Sequence, residues 1–270
     1  MSRHLLLVLL VTSLSGRVTY AQEGPGPLAD SAAAFQTRRE TVAWLLQYDR
    51  VAWVTSDSVM AEPEDVKKSL GSEWFCYRIA NDWHAFYGAF DATADLYHIA
   101  LHYTVDSAGH VASSTADVDT TRISAFARAL QHANDALPAH FTDAGFPFNV
   151  YVRELGDSAL EVWFLPGWHP RAHVMVYGGE ASFVYDTTGR KERARHILLD
   201  EWRGFPLDRG KKISLDYESH LLPTVGSLFF LYSNRSNFKE IHIVTKAYVT
   251  TLVDSPDGPM LINALRSGKD

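Results

Sequence analysis

One cysteine, Cys76, stands among 270 residues. A single thiol makes no internal disulfide, so the fold rests on its apolar core, and the thiol is either buried or reactive. Runs of Lys and Arg are absent, and 32 acidic against 25 basic residues give a formal charge of −7. That balance argues against nucleic acid as the main partner and against anionic lipid surfaces. No apolar run approaches the ~20 residues that span a bilayer. Familiar catalytic signatures are missing too: the sequence holds no G-x-S-x-G elbow, no H-E-x-x-H, no Walker loop and no G-x-G-x-x-G.

What is present describes a globular chain. Hydrophobic residues make up 46% and aromatics 12%, too many for disorder. Residues 1–21 read as a signal peptide: Arg3 and His4 precede an apolar stretch from Leu5, and Thr19-Tyr20-Ala21 forms a small-residue site before Gln22. The expected location is therefore exported, periplasmic or secreted. Residues 22–29 read as a flexible Gly/Pro leader, and residues 30–265 as a single domain, with a split near residue 140 as the alternative.

Residues 30–47 carry a helical spacing of apolar positions, and Val51-Ala52-Trp53-Val54-Thr55 looks extended. A short helix over 63–70 follows. Aromatic and β-branched stretches at 74–79, 83–90 and 97–105 predict strands. Residues 121–137 predict a second main helix, stopped by Pro138. Strands are then expected at 148–154, 159–165, 173–177, 182–185, 213–217, 227–232, 240–245 and 247–253, and 193–202 is ambiguous. Turn signals join them: Leu155-Gly156-Asp157, Gly178-Gly179, and the D-x-x-G sequences at Asp106–Gly109 and Asp186–Gly189, where a left-handed glycine would close a hairpin. The fold class is α+β: a large, mostly antiparallel sheet of hairpins with two main helices packed on it.

Four groups of residues bear on chemistry. Cys76 lies eight positions before His84, across a plausible turn; strand alternation puts Trp74, Cys76 and Arg78 on one face, and a buried structural thiol is the favoured reading. Asp216, Glu218 and His220 alternate in KKISLDYESH. On a strand they form a carboxylate–carboxylate–imidazole row, ligands that suit a divalent metal, although successive same-face residues stand ~7 Å apart. A second histidine, His242 or His196, converging on that row would strengthen a metal site. His98 and His102 share a strand face at a spacing too long for one ion. The loop PGWHPRAH offers Trp168, His169, Arg171 and His173 as a binding group for an anionic or sugar-like ligand.

AWVTSD (residues 52–57), WFCY with WHAFYGAFD (74–91), and LPTVGSLFFLYSNRS followed by IHIVTKAYVTTL (222–252) resemble uncharacterised exported bacterial proteins. The resemblance implies an exported bacterial α+β domain and carries over no activity or site residues. The favoured function is a non-catalytic exported or envelope module that binds a ligand or an exported protein partner. The alternative is a metal-dependent hydrolase using Asp216, Glu218 and His220, and a third reading is an inhibitor-like partner marked by an exposed apolar patch.

Overall fold

The computed structural model describes residues 28–141, 145–167, 173–256 and 258–266. The signal peptide and nearly all of the leader lie outside these residues. The described residues are α+β, but the strands form three four-stranded sheets rather than one large sheet, and four helices accompany them instead of two.

Helix α1 spans Leu28–Ala61 and α2 spans Glu64–Lys68. The extended stretch expected at residues 51–55 is helical. Val42, Leu45, Tyr48, Val51 and Thr55 continue one buried stripe at steps of three and four, so burial overrides the β preference of Val and Thr. Thr55 fits by bonding back to the Val51 carbonyl at 2.7 Å.

The first sheet follows as a meander of β1 (Trp74–Ile79), β2 (Asp82–Asp91), β3 (Leu96–Val105) and β4 (Val111–Ser113). Alternation sorts its side chains onto two apolar faces. Trp74, Trp83 and Tyr87 meet α1, where Tyr48 packs on Trp74 and Trp83 and Thr55 bonds Tyr87 at 2.6 Å. Phe75, Tyr77 and Phe86 meet Phe126 of helix α3 (Thr120–Ala136) on the other side. Asp119 caps α3 by accepting from the Thr121 and Arg122 amides.

Helix α3 opens a second unit of the same order. Its sheet is the meander β5 (Phe148–Leu155), β6 (Ala159–Pro166), β7 (Val174–Asp186) and β8 (Glu192–Pro206). The ambiguous 193–202 segment is strand. Gly178-Gly179 is not a hairpin turn: both glycines have positive φ inside β7, at a register shift against β8. A Cβ on Gly178 would lie 2.1 Å from the Glu201 carbonyl, so the bulge needs glycine. Both D-x-x-G sequences are hairpin turns as expected, with Gly109 at φ 92 and Gly189 at φ 72. They occupy equivalent places, joining the third strand to the fourth in each unit.

The first strands of the two units, β1 and β5, lie beside each other without pairing. Tyr48 of α1 bridges them on one side by touching Trp74 and Tyr151. Arg122 of α3 bridges them again, stacking over Tyr77 and bonding Glu154 at 2.8 Å. This junction is the seam of the molecule.

The third sheet orders β12 (Gly258–Leu265), β11 (Tyr248–Ser255), β10 (Phe238–Thr245) and β9 (Asp208–Tyr217). Strands β9 and β10 pair in parallel, joined through helix α4 (Val225–Asn234). The strand expected at 227–232 is thus a helix. Its sequence, VGSLFFLYSN, is apolar nearly all round because α4 is buried between sheets. Its start is fixed by Thr224, whose hydroxyl accepts from the Ser227 amide at 3.1 Å.

Glu180 on β7 completes that start. Only 1% of it is exposed. Its Oε1 accepts from the Thr224 hydroxyl at 2.9 Å and from the Tyr217 hydroxyl, and Oε2 accepts from the Gly226 amide at 3.0 Å. Burial raises the carboxyl's pKa against these donors and the field of Arg38. A Cβ on Gly226 would sit 2.3 Å from the Glu180 Cδ, so glycine there makes room for the carboxylate at the helix end.

Candidate functional site

Cys76 and His84 face opposite sides of the first sheet. Cys76 pairs with Ala85, and His84 with Tyr77. The thiol is buried, its amide donates to the Tyr48 hydroxyl at 3.2 Å, and burial pushes its pKa well above the ordinary range. It packs as a core residue, with no cation to form a thiolate. His84 instead meets His102 across the sheet, ring nitrogen to ring nitrogen at 2.9 Å, and His102 stacks on Phe86. Burial lowers both histidines, His102 to about 4 with help from His84, so the pair is neutral near pH 7.

The row expected at Asp216, Glu218 and His220 breaks up because β9 ends at Tyr217. Asp216 accepts from the Glu218 amide at 3.1 Å in the turn that follows, and Glu218 pairs with Arg266 at 2.7 Å. These two carboxylates line one cavity with Asp200 and Glu201, whereas His220 lines another. Among the described residues no three His, Cys, Asp or Glu side chains are grouped to hold a metal ion. His242 pairs with Glu240 instead of joining the row. In the tryptophan loop, Trp168, His169 and Arg171 lie outside the described residues. His173 ends that loop at φ 47, and its carbonyl accepts from the Leu207 amide at 3.1 Å. Strand β12 exposes Met260 and Ile262 on one face and Leu265 on the other.

The residues with the strongest claim to a site are on α1, at the seam. Asp49, Trp53 and Ser56 follow one another at helical steps of four and three, so they share a face. Two cavities of about 220 and 510 Å³ adjoin there, both lined by Asp49, Trp53 and Asn149. The larger reaches Trp74, Tyr87 and Tyr151 of the two sheets, together with Ser72, Glu73 and Asn134. The smaller runs toward α4, past Tyr177 and Phe229 to Ser233, Asn234 and Asn237. Pro166 and Gly167, where the tryptophan loop begins, also line it.

Trp53 is 67% exposed, an unusual state for so large an apolar ring. Beside it, Asp49 accepts from the Tyr151 hydroxyl at 3.1 Å. Burial raises the Asp49 pKa, and hydrogen bonds from Tyr151 and Trp53 partly oppose the rise. Among the described residues, neither cavity has a Lys, Arg or His in its lining. Sequence reasoning missed this group because residues 51–55 looked extended, which separates Asp49 from Trp53. The helical stripe of Val42, Leu45 and Tyr48, extended by one more turn, was the signal that could have joined them.

No family model, curated protein or solved structure matches the chain. Fold and cleft define a class only: an α+β protein of two helix-led, four-stranded units and a third mixed sheet, with an aromatic and amide-lined cleft at the seam.

Proposed function

We propose that the protein is an exported, non-catalytic binding module whose seam cleft takes a neutral, polyhydroxylated, sugar-like ligand. The observation that carries this reading is Trp53, two-thirds exposed beside Asp49 where the two cavities meet. A flat aromatic face offers apolar contact to the C–H face of a sugar ring. Asn134 and Asn149 both donate and accept, as hydroxyl groups require, and Asp49 accepts, while Asn237 donates to Asn234 and Asn234 to the Phe230 carbonyl. The described lining holds carboxylates and amides, which repel or fail to attract an anion, and an ammonium ligand would leave the amide donors unmatched.

Catalysis is the weaker reading for the same cleft. Glycoside hydrolysis uses two working carboxyl groups. Of the other carboxyls in the lining, Glu180 has both oxygens committed to the start of α4, and Glu73 accepts from the Ser72 hydroxyl at 2.8 Å. The test is ligand-observed NMR of the full chain against a panel of neutral mono- and oligosaccharides. Binding by at least one sugar is expected, weakened about tenfold or more in Asp49→Asn, in line with a lost charge-assisted hydrogen bond. A folded protein that binds no member of the panel would overturn the reading.

A further inference from the structure

Strands β1 and β5 are tied together in their later parts by Arg122, which stacks over Tyr77 and bonds Glu154. Toward their starts the two edges part. The larger seam cavity, of about 510 Å³, occupies the gap, with Glu73 and Trp74 on one side and Phe148 and Asn149 on the other. Neither strand has a strand partner there. Each therefore turns a row of main-chain N–H and C=O groups toward the gap.

Asp49, Trp53 and Asn149 line both seam cavities, and from these three residues the linings diverge. The larger cavity leads to Trp74 and Tyr87 of the first sheet and to Asn134 of α3. The smaller, of about 220 Å³, leads between β7 and α4 to Tyr177, Ser233 and Asn237. The exposed Trp53 ring thus stands at a junction, with space running toward β1 one way and toward α4 the other. The character of the walls repeats along this path. Trp74 is half-buried and stacks on Tyr87 at 14°, which puts a second aromatic ring in the wall of the larger cavity. In the smaller, Asn237 donates to Asn234 at 3.1 Å and Asn234 to the Phe230 carbonyl at 3.2 Å. Those bonds use one N–H of each amide and fix the direction of the others. The smaller volume lies below the ~300–1,000 Å³ of a small-molecule site, so it serves as an extension, whereas the two cavities joined fall inside that range.

Resting on the sugar reading of this cleft, we propose that the ligand is a linear oligosaccharide of at least three rings. One ring lies on Trp53 beside Asp49 and Asn149, one enters the smaller cavity, and the rest of the chain enters the larger. Among the described residues two spaces leave the junction, as the inner ring of a linear chain has two neighbours. A single ring on Trp53 would leave the walls on both sides unfilled.

The test is calorimetric titration of the full chain with glucose, N-acetylglucosamine and the β-1,4-linked oligomers of each from two to five rings, alongside α-1,4-linked glucose oligomers of the same lengths. In the series that binds, affinity rises about tenfold or more with each ring up to the third and levels off by the fifth. Ser233→Trp and Asn134→Trp, at exposed positions in the linings of the smaller and larger cavities, each fill one flank and cancel the gain from one ring. Circular dichroism establishes that each variant is folded, and either one alone decides the matter if the other is not. Equal affinity for one ring and for three, or a rise with length that the folded variants leave intact, would overturn this proposal while the sugar reading stands. No heat at any length in any series would overturn both.

Discussion

Arg50 on α1 and Arg128 on α3 make the same bond in the two units. Each reaches from the leading helix of its unit to the third carbonyl of the D-x-x-G turn between strands three and four. Arg50 donates to Ala108 at 3.2 Å, and Arg128 to Thr188. The turns also match internally. The Gly109 and Gly189 amides donate to the Asp106 and Asp186 carbonyls at 3.0 and 2.9 Å, and each Asp side chain accepts from the residue after its glycine. The environments differ. Arg50 is exposed, whereas Arg128 is buried and also holds Asp95 of the first unit at 2.5 Å. Arg190, next to the second turn, pairs with the same Asp95. In the second unit the clamp has become a fastening between units.

The two sheets diverge in the same manner. The first is covered on both faces and uses them for apolar packing. The second turns Arg153, Glu161, Glu180 and Ser182 toward α1 and α4, and a cavity of about 360 Å³ opens beside Arg153, Glu161 and Ser182. One topology thus carries apolar packing in one unit and polar, charged groups in the other.

The largest contrast should appear at the turn glycines. A Cβ on Gly189 would stand 2.3 Å from the Ala125 carbonyl of α3, and its φ is 72. Gly189→Ala is expected to lose about 3 kcal/mol or more of unfolding free energy in urea. A Cβ on Gly109 meets only the movable end of Arg50, so Gly109→Ala should lose about 1 kcal/mol, the strain of its positive φ. Next come the arginines. Arg128→Met removes a buried cation that joins both units and should lose about 2–3 kcal/mol. Arg50→Met should lose under about 0.5 kcal/mol. Equal losses within either pair would break the comparison.

A smaller effect separates the first sheet by pH. Burial holds His84 below its ordinary pKa and holds His102 down to about 4, so the unfolded chain takes up these protons first. Stability is therefore lost as pH falls from about 6.5 toward 4. His102→Gln removes one of the two titrations and should shrink the loss of urea stability between pH 7 and 4.5 by about 1–2 kcal/mol, a range discounted for partial exposure. An unchanged loss would show that the pair does not govern acid sensitivity.

Much of this architecture could be read from the chain. The strand at residues 74–79 was legible at its true bounds because alternating aromatics fill both faces. The D-x-x-G turns were legible because φ > 0 calls for glycine. Where reading failed, distant contacts decided the local form. Residues 51–55 are helical because α1 continues across the seam, and residues 227–232 are helical because Thr224 and Glu180 cap a start that a short apolar run does not reveal. The split into three sheets, the parallel pairing of β9 with β10, and strand β12 depend on contacts far apart in sequence. The same reason hid the site: Asp49 and Trp53 come together only on a helix, while the row from Asp216 to His220 requires a strand that stops at Tyr217.

On the proposed function, Trp53 is kept exposed for a ligand rather than for the fold. Its most direct test is Trp53→Ala, followed by thermal unfolding and by calorimetry with the best-bound neutral sugar. The expected unfolding temperature is within about 2 °C of the parent, as for a surface change, with sugar affinity reduced at least tenfold. A large loss of stability, or undiminished affinity in the folded variant, would contradict it.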